Sequence, residues 1–184
     1  QALRHRIIFK IFRSKESKRR LRQKERNKNI LLFNAKERVV ISEAFTVVRT
    51  NLAYMLHGID SKGKVLMTTS VIPESGKTFI SANFSSCLAS LEGNRVLLID
   101  ADIRKASLSD ALASYMTQRS KGGLSSYLLG SCTDLSDLIV RIDASSPFDF
   151  FPAGVVPPNP TELLLGDRFA ELIDKVREMY DYIL

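Results

Sequence analysis

Apolar residues change their spacing several times along the chain, and each change marks an element. Residues 42–58, SEAFTVVRTNLAYMLHG, place Phe45, Val48, Leu52 and Met55 at helical spacing, with Ser42 as candidate N-cap and Gly58 as candidate stop. KVLMTTS (64–70) is a short run rich in β-formers, and PESGK after it is a turn. TFISANFSSCLASLEG (78–93) reads as an amphipathic helix closed by Gly93, and RVLLID (95–100) as an apolar strand ending on an acidic residue. Strand, loop, helix and strand in that order make a βαβ unit. Near-continuous apolar strands imply a parallel sheet covered on both faces, hence an α/β fold.

Further along, the pattern is weaker. Residues 105–145 read as mixed helix and loop, broken by turn signals at KGG and LGS. FDFFPAG (148–154) is a strand leading into a loop, and VVPPNP is held extended by its prolines. TELLLGDRFAELIDKVREMY holds one or two helices with Thr161 as candidate cap, and DYIL (181–184) begins a last strand.

Charge divides the chain where periodicity does not. Of the net +7 on 184 residues, residues 1–38 contribute +11 and residues 39–184 contribute −4. The basic character therefore belongs to the first segment, RSKESKRRLRQKERNKN at its centre, which repels itself and has little to bury. It reads as a linker, 1–38, ahead of a folded domain, 39–184. Beside an anionic membrane each Lys or Arg would add about 1 kcal/mol of attraction. The basic cluster has no interleaved aromatics, so nucleic acid is not an expected partner. The two cysteines, Cys87 and Cys132, offer no disulfide framework or metal spacing and fit a reduced compartment. No apolar run reaches the roughly 18–20 residues that cross a bilayer. The charged start shows no signal peptide, and the initial Gln suggests a piece of something longer. His5 and His57 have no metal-ligand spacing. Tyr54, Tyr115, Tyr127, Tyr180 and Tyr182 are scattered and read as structural.

The candidate chemistry lies in the βαβ unit. SVIPESGKT (70–78) ends as a phosphate loop does, although Val71 stands where the usual first glycine would be. Gly76 allows the backbone to approach phosphate, Lys77 supplies charge at the β/γ positions, and Thr78 offers a hydroxyl to Mg²⁺. The helix behind adds the pull of its N-terminus on anions. In LLIDADIRK, Asp100 and Asp102 are two apart, so on a strand they would share a face at the carboxyl edge of the sheet. Next to bound phosphates they could hold Mg²⁺ or polarise an incoming hydroxyl, and Arg104 could meet phosphate. The bland alternative is an acidic strand end that caps the next helix.

With these residues in view the chain resembles the bacterial tyrosine kinases that regulate capsule and exopolysaccharide export. That family's loop, Ser-x-x-Pro-x-x-Gly-Lys-Ser/Thr, is matched by Ser70, Pro73, Gly76, Lys77 and Thr78. Its second motif, three apolar residues and Asp-x-Asp-x-Arg, is matched by Leu97 to Ile99, Asp100, Asp102 and Arg104. GLSSYLLG, FPAGVVPPNPTELL and MYDYIL are also similar to the family, so the likeness runs from about Ser42 to the end.

The resemblance implies a P-loop fold related to partition ATPases, with ATP and Mg²⁺ as cofactors and phosphoryl transfer to tyrosine as the reaction. Ser70, Pro73, Glu74, Ser75, Gly76, Lys77, Thr78 and Phe79 would surround the nucleotide. Thr78, Asp100 and Asp102 would serve the metal, and Lys77, Asp100, Asp102 and Arg104 the catalysis. The partners implied are further copies of the chain in a ring, polysaccharide export machinery and an opposing phosphatase. The setting implied is the cytoplasmic side of a bacterial inner membrane. Of the family's ring-forming Glu-x-x-Arg-x-x-Arg, Glu43 and Arg49 are present and Thr46 stands in the middle. Ala106 replaces a usual proline. The third nucleotide motif would fall beyond Leu184, so the fold is expected to be incomplete at that end and the piece alone weak or inactive. Two rivals remain: a partition-type ATPase, whose extra lysine would stand at Ile72, and a non-catalytic nucleotide-binding regulator of chain length.

Overall fold

The computed structural model describes residues 30–36, 39–58 and 63–184. Residues 1–29, which hold most of the expected basic linker, lie outside them. Among the described residues, five strands form one sheet: β1 (Lys64–Val65), β2 (Val96–Ile99), β3 (Val140–Ile142), β4 (Phe148–Phe151) and β5 (Tyr182–Ile183), in the order β1-β5-β2-β4-β3. All neighbouring pairs are parallel except β3 with β4. The helices are α1 (Val40–Met55), α2 (Lys77–Ala89), α3 (Ser107–Leu112), α4 (Leu124–Leu129), α5 (Leu135–Leu138), α6 (Pro160–Leu165) and α7 (Asp167–Met179). The expected α/β fold with a mostly parallel, helix-flanked sheet is the one observed. None of these helices is long and apolar enough to cross a membrane.

Strand β2 is buried along its whole length, as its unbroken apolar sequence requires. Leu97, Ile99 and Phe151 join Leu172 and Val176 of α7 in one core cluster with Leu124 and Leu138. Helix α2 departs from the amphipathic helix expected, because every residue from Ser81 to Leu88 is buried. Small side chains at Ser81, Ala82, Ser85 and Ser86 let α1, β2 and β4 approach it, and a helix covered all round shows no stripe.

Four further expectations need correction. Strand β3 lies in the region read as helix and loop. Its three residues alternate too briefly to signal a strand, and it forms by antiparallel pairing with the apolar β4 at the sheet edge. Helix α1 starts two residues before Ser42, which does not cap it. Instead the Ser42 hydroxyl accepts the N–H of Asn34 at 3.1 Å. Of the four apolar positions read as its core face, Phe45 is buried, whereas Val48 and Met55 are exposed. Helix α6 begins at Pro160 with Asn159 before it, so Thr161 lies inside the helix rather than at its cap.

Residues 31–34, assigned by charge to the linker, lie against the domain. Both Leu32 N–H (2.7 Å) and Phe33 N–H (2.8 Å) donate to Asn83 Oδ1, and the Ser145 hydroxyl donates to Phe33 O at 2.7 Å. At the other side of the sheet, Gly63 admits no side chain. A Cβ there would collide with the Tyr180 carbonyl oxygen, so glycine is what lets the chain enter β1 beside β5.

Tyr180 is structural, as expected. Its hydroxyl donates to Asp149 Oδ2 at 3.0 Å, and Asp149 Oδ1 accepts from Arg141 at 2.8 Å. Burial, and then the Asp149 carboxylate, push its ionisation well above the ordinary phenol range, so it stays neutral at physiological pH. Removing one such hydrogen bond is worth about 1 kcal/mol. Tyr180→Phe is therefore expected to lower unfolding free energy by about that much in urea titration. An unchanged midpoint would show that Asp149 is satisfied by Arg141 alone.

Candidate functional site

The loop between β1 and α2 rises from the carboxyl end of an edge strand. The β run expected over 64–70 shortens to Lys64–Val65, prolonged by one further bond from Leu66 N–H to Ile183 O. β1 has β5 as its sheet partner, and residues beyond Leu66 turn into the loop. Gly76 takes φ 90°, a left-handed conformation that costs a glycine little, and its carbonyl accepts Ile80 N–H to start α2. Glu74 also has positive φ, at 59°. The first turn of α2, a 13-residue helix, thus opens on the loop with its unpaired N–H groups. Lys77 arches back across the loop, its Nζ donating to Ser70 Oγ at 2.7 Å, and Ser70 Oγ donates to Ile72 O at 2.8 Å.

The loop after β2 faces this turn. Ser70, Val71, Ile72, Pro73 and Lys77 form one wall of a cleft of about 590 Å³; Asp102, Arg104 and Lys105 form the other. That volume lies within the range of small-ligand pockets. Lys77, Arg104 and Lys105 outnumber the single carboxylate of Asp102, so the lining suits an anion.

Asp100 and Asp102 do not share a face, contrary to the spacing argument. Strand β2 ends at Ile99, so both residues stand past it, and Asp102 opens a turn that Ala106 closes with φ 51° and a 2.8 Å bond from its N–H to Asp102 O. The turn directs Asp102 into the cleft and Asp100 inward. Asp100 is 3% exposed. Its Oδ2 accepts the N–H (2.8 Å) and hydroxyl (2.7 Å) of Ser109, and its Oδ1 accepts Asp102 N–H at 3.2 Å. Burial raises its pKa above the usual carboxylate range, and the Ser109 bonds pull the other way. Asp100 thus ties the strand end to the first turn of α3.

Other candidate residues distribute between cleft and core. Glu74 and Ser75 are exposed on the loop, and Thr78 is half-buried behind it. Phe79 turns its ring toward Phe45 of α1, at a centroid distance of 6.2 Å, so it reaches the loop through the backbone. Arg49 donates to Cys87 O (2.8 Å) and Ser90 Oγ (2.7 Å) of its own chain, fastening α1 to the end of α2, while Glu43 is exposed. Lys105 and the apolar pair Val71–Ile72 also line the cleft, although no motif chemistry points to them. Lys105 follows Arg104 directly in sequence, and that adjacency is the available signal. Ser109 has none, because its importance comes from long-range neighbours.

No group of three or more His, Cys, Asp or Glu side chains among the described residues could hold a metal ion by itself. A divalent ion here would need phosphate oxygens as co-ligands. That fits Mg²⁺, which binds through one or two carboxylates plus substrate phosphates.

Comparison with known proteins shows the family and the fold. The family model of the CobQ/CobB/MinD/ParA nucleotide binding domain matches residues 66–179. A tyrosine-protein kinase, Wzc, of Salmonella typhimurium is 38% identical over 142 residues, covering 77% of this chain and 18% of the relative. Etk of Escherichia coli K12, also a tyrosine-protein kinase, is 33% identical over 165 residues, covering 88% and 21%. The solved kinase domain of the Escherichia coli tyrosine kinase ETK superposes with a TM-score of 0.67 at 34% identity, over 77% of this chain and 52% of that one. The chain thus spans about a fifth of the length of the curated relatives it matches.

Proposed function

The chain belongs to the CobQ/CobB/MinD/ParA nucleotide-binding family and stands within it beside the bacterial tyrosine kinases; from this premise we propose that it is the nucleotide-binding part of an ATP-dependent protein-tyrosine kinase regulating capsule or exopolysaccharide export. The observation that carries the reading is the cleft itself: a Gly-Lys-Thr loop at a helix N-terminus faces Asp102, Arg104 and Lys105 across one space.

ATP would supply the phosphoryl group when bound, and Mg²⁺, for which Thr78 and Asp102 are the available protein ligands, would offset charge on its phosphates. The backbone from Ser70 to Phe79 cradles the phosphates. Lys77, already arched over the loop, would give up Ser70 for a phosphate oxygen, and Thr78 would offer its hydroxyl to the metal. Arg104 and Lys105 neutralise charge from the opposite wall, where a preorganised cation acts without reorganisation cost. Asp102 is the carboxylate available to the metal or to the proton of an incoming tyrosine hydroxyl. Asp100, with its oxygens held by N–H and O–H donors, acts through the turn it anchors.

The wider setting is proposed on the resemblance and the charge pattern. The basic linker, read from charge as residues 1–38, lies on anionic lipid through the part ahead of residues 31–34, which pack on the domain, and this places it on the cytoplasmic face of an inner membrane. Self-association runs through the exposed face of α1, where Glu43 stands, while Arg49 secures that helix to its own domain. Export machinery and an opposing phosphatase complete the partners.

The test is incubation of the intact protein with γ-labelled ATP and Mg²⁺, followed by phosphoamino-acid analysis. Label recovered as phosphotyrosine is the expected result. Hydrolysis to inorganic phosphate without phosphotyrosine would favour a partition-type ATPase. Nucleotide binding with neither product would favour a non-catalytic regulator.

A further inference from the structure

We propose that Ser109 is a positioning residue for the acidic turn of the nucleotide cleft: it locks the buried Asp100 carboxylate so that Asp102 is presented to the phosphate-bound metal. This inference rests on the kinase reading above, and extends it to a residue outside both nucleotide motifs.

The direction of each hydrogen bond around Ser109 is determined by its partners. Ala153 N–H reaches Ser109 Oγ at 2.9 Å and can only donate. The single hydroxyl proton is therefore given to Asp100 Oδ2, 2.7 Å away, and Ser109 N–H adds a second bond to the same oxygen at 2.8 Å. One side chain thus joins three pieces of backbone: the end of β2 through Asp100, the start of α3, and the segment after β4 through Ala153. Asp100 N–H in turn donates to Phe151 O at 3.0 Å, which closes the link between the two strand ends.

The lock reaches the cleft through Asp100 Oδ1. That oxygen accepts the N–H of Asp102 at 3.2 Å, so rotation of the Asp100 carboxylate displaces the backbone of the residue that lines the cleft. Asp102 Oδ1 also accepts Lys105 N–H at 3.2 Å, which carries the same constraint to a second lining residue. Loss of the Ser109 hydroxyl leaves Ala153 N–H without its acceptor and one Asp100 oxygen with a single donor. Ser109 itself does not line the cleft. It acts on ligands through Asp100 and Asp102, as outer partners of metal-binding carboxylates do.

The experiment measures binding of a fluorescent ATP analogue to the intact protein, with Mg²⁺ and in EDTA, for wild type, Ser109→Ala and Ser109→Thr. Thermal midpoints and the split of kcat and KM for phosphotyrosine formation are recorded alongside. Removing such a partner typically costs roughly ten- to a hundredfold in metal affinity or activity. For Ser109→Ala the half-saturating Mg²⁺ concentration is expected to rise about tenfold and kcat to fall by a similar factor, with metal-free analogue binding unchanged. Ser109→Thr, which keeps the hydroxyl, is expected to restore both. If Ser109→Ala does not fold, Ser109→Cys, with a weak donor of similar size, is expected to fall between serine and the loss. Wild-type Mg²⁺ dependence in Ser109→Ala, or equal loss of metal-free and metal-supported binding, would overturn the proposal. Wild-type binding that ignores Mg²⁺ would also overturn it. A wild type without phosphotyrosine formation, but with the Mg²⁺ shift present in Ser109→Ala, would reject the kinase reading and leave the role of Ser109 standing.

Discussion

Replacing Lys77 by methionine is expected to lower phosphotyrosine formation by the intact protein roughly 10²- to 10³-fold, the usual cost of losing one preorganised stabiliser of transition-state charge. Methionine keeps the length and apolar stem of lysine, so the change isolates the charge. Among the described residues the Lys77 ammonium meets a neutral hydroxyl, Ser70 Oγ, at 2.7 Å, and the side chain is partly exposed. Its loss removes one hydrogen bond at the surface, worth about 1 kcal/mol at most, and no buried partner is left unsatisfied. The thermal midpoint should therefore move little while transfer collapses. Stopped-time labelling with γ-labelled ATP, beside a thermal unfolding curve for each variant, reads both quantities. Equal labelling of variant and wild type would remove Lys77 from the chemistry and with it the reading of the loop.

Asn83→Ala is expected to produce the opposite pattern, a large loss of stability from a residue outside the cleft. Asn83 is fully buried on α2. Its Oδ1 accepts two consecutive backbone N–H groups, from Leu32 and Phe33, and its Nδ2 donates to Phe79 O at 2.8 Å. A buried polar group left without a partner costs about 1–3 kcal/mol. Residues 31–34 can reduce that cost by leaving their seat, but Phe33 is 4% exposed and its release forfeits about 2 kcal/mol of apolar burial. Both routes predict roughly 2–3 kcal/mol lower unfolding free energy, read in urea titration. Cleavage by a protease near residues 31–36 should accelerate in the same variant if the segment detaches. A change below about 0.5 kcal/mol would show that the segment contributes nothing to the fold, since surface contacts rarely exceed that.

Asn83 also connects the two ends of the functional problem. Phe79 is one residue past Thr78, and its carbonyl is tied to the side chain that holds the incoming segment. Residues assigned by charge to a linker are thus in hydrogen-bonded contact with the helix that carries the phosphate loop. The apolar Leu31, Leu32 and Phe33 stand in sequence next to the basic run, and net charge over residues 1–38 masks them.

Much of the fold is legible in the order of residues alone. The βαβ unit, the buried strand β2, the strand at 148–151 and the last strand at 182–183 occur where apolar runs and turn residues place them. Gly76 stands in the left-handed conformation that a loop entering a helix requires, and the cleft brings Lys77 together with Asp102 and Arg104. The places where reading by pattern fails share a cause. Val48 and Met55 have helical spacing, yet α1 covers α2 with the face bearing Ser42, Phe45 and Arg49. Periodicity shows that a face is apolar; the arrival of a particular neighbour decides which face is covered. Strand β3 is similar, since three alternating residues become a strand only beside β4.

The order of residues sets the local pieces: a phosphate loop at the head of a helix, an acidic turn after a buried strand, and a basic segment ahead of both. These follow from spacing, turn chemistry and charge over a few residues, which are properties of the chain near each position. Long-range contacts set the rest: Asp100 is buried under Ser109 while Asp102 faces the cleft, Arg49 binds its own chain, and Asn83 receives residues 32 and 33. Each of these depends on hydrogen bonds or packing between distant segments, which only the assembled sheet brings together, and on the cost of leaving a buried polar group without a partner. Two carboxylates two residues apart are equivalent until the backbone between them turns, and the atoms that turn it lie elsewhere in the chain.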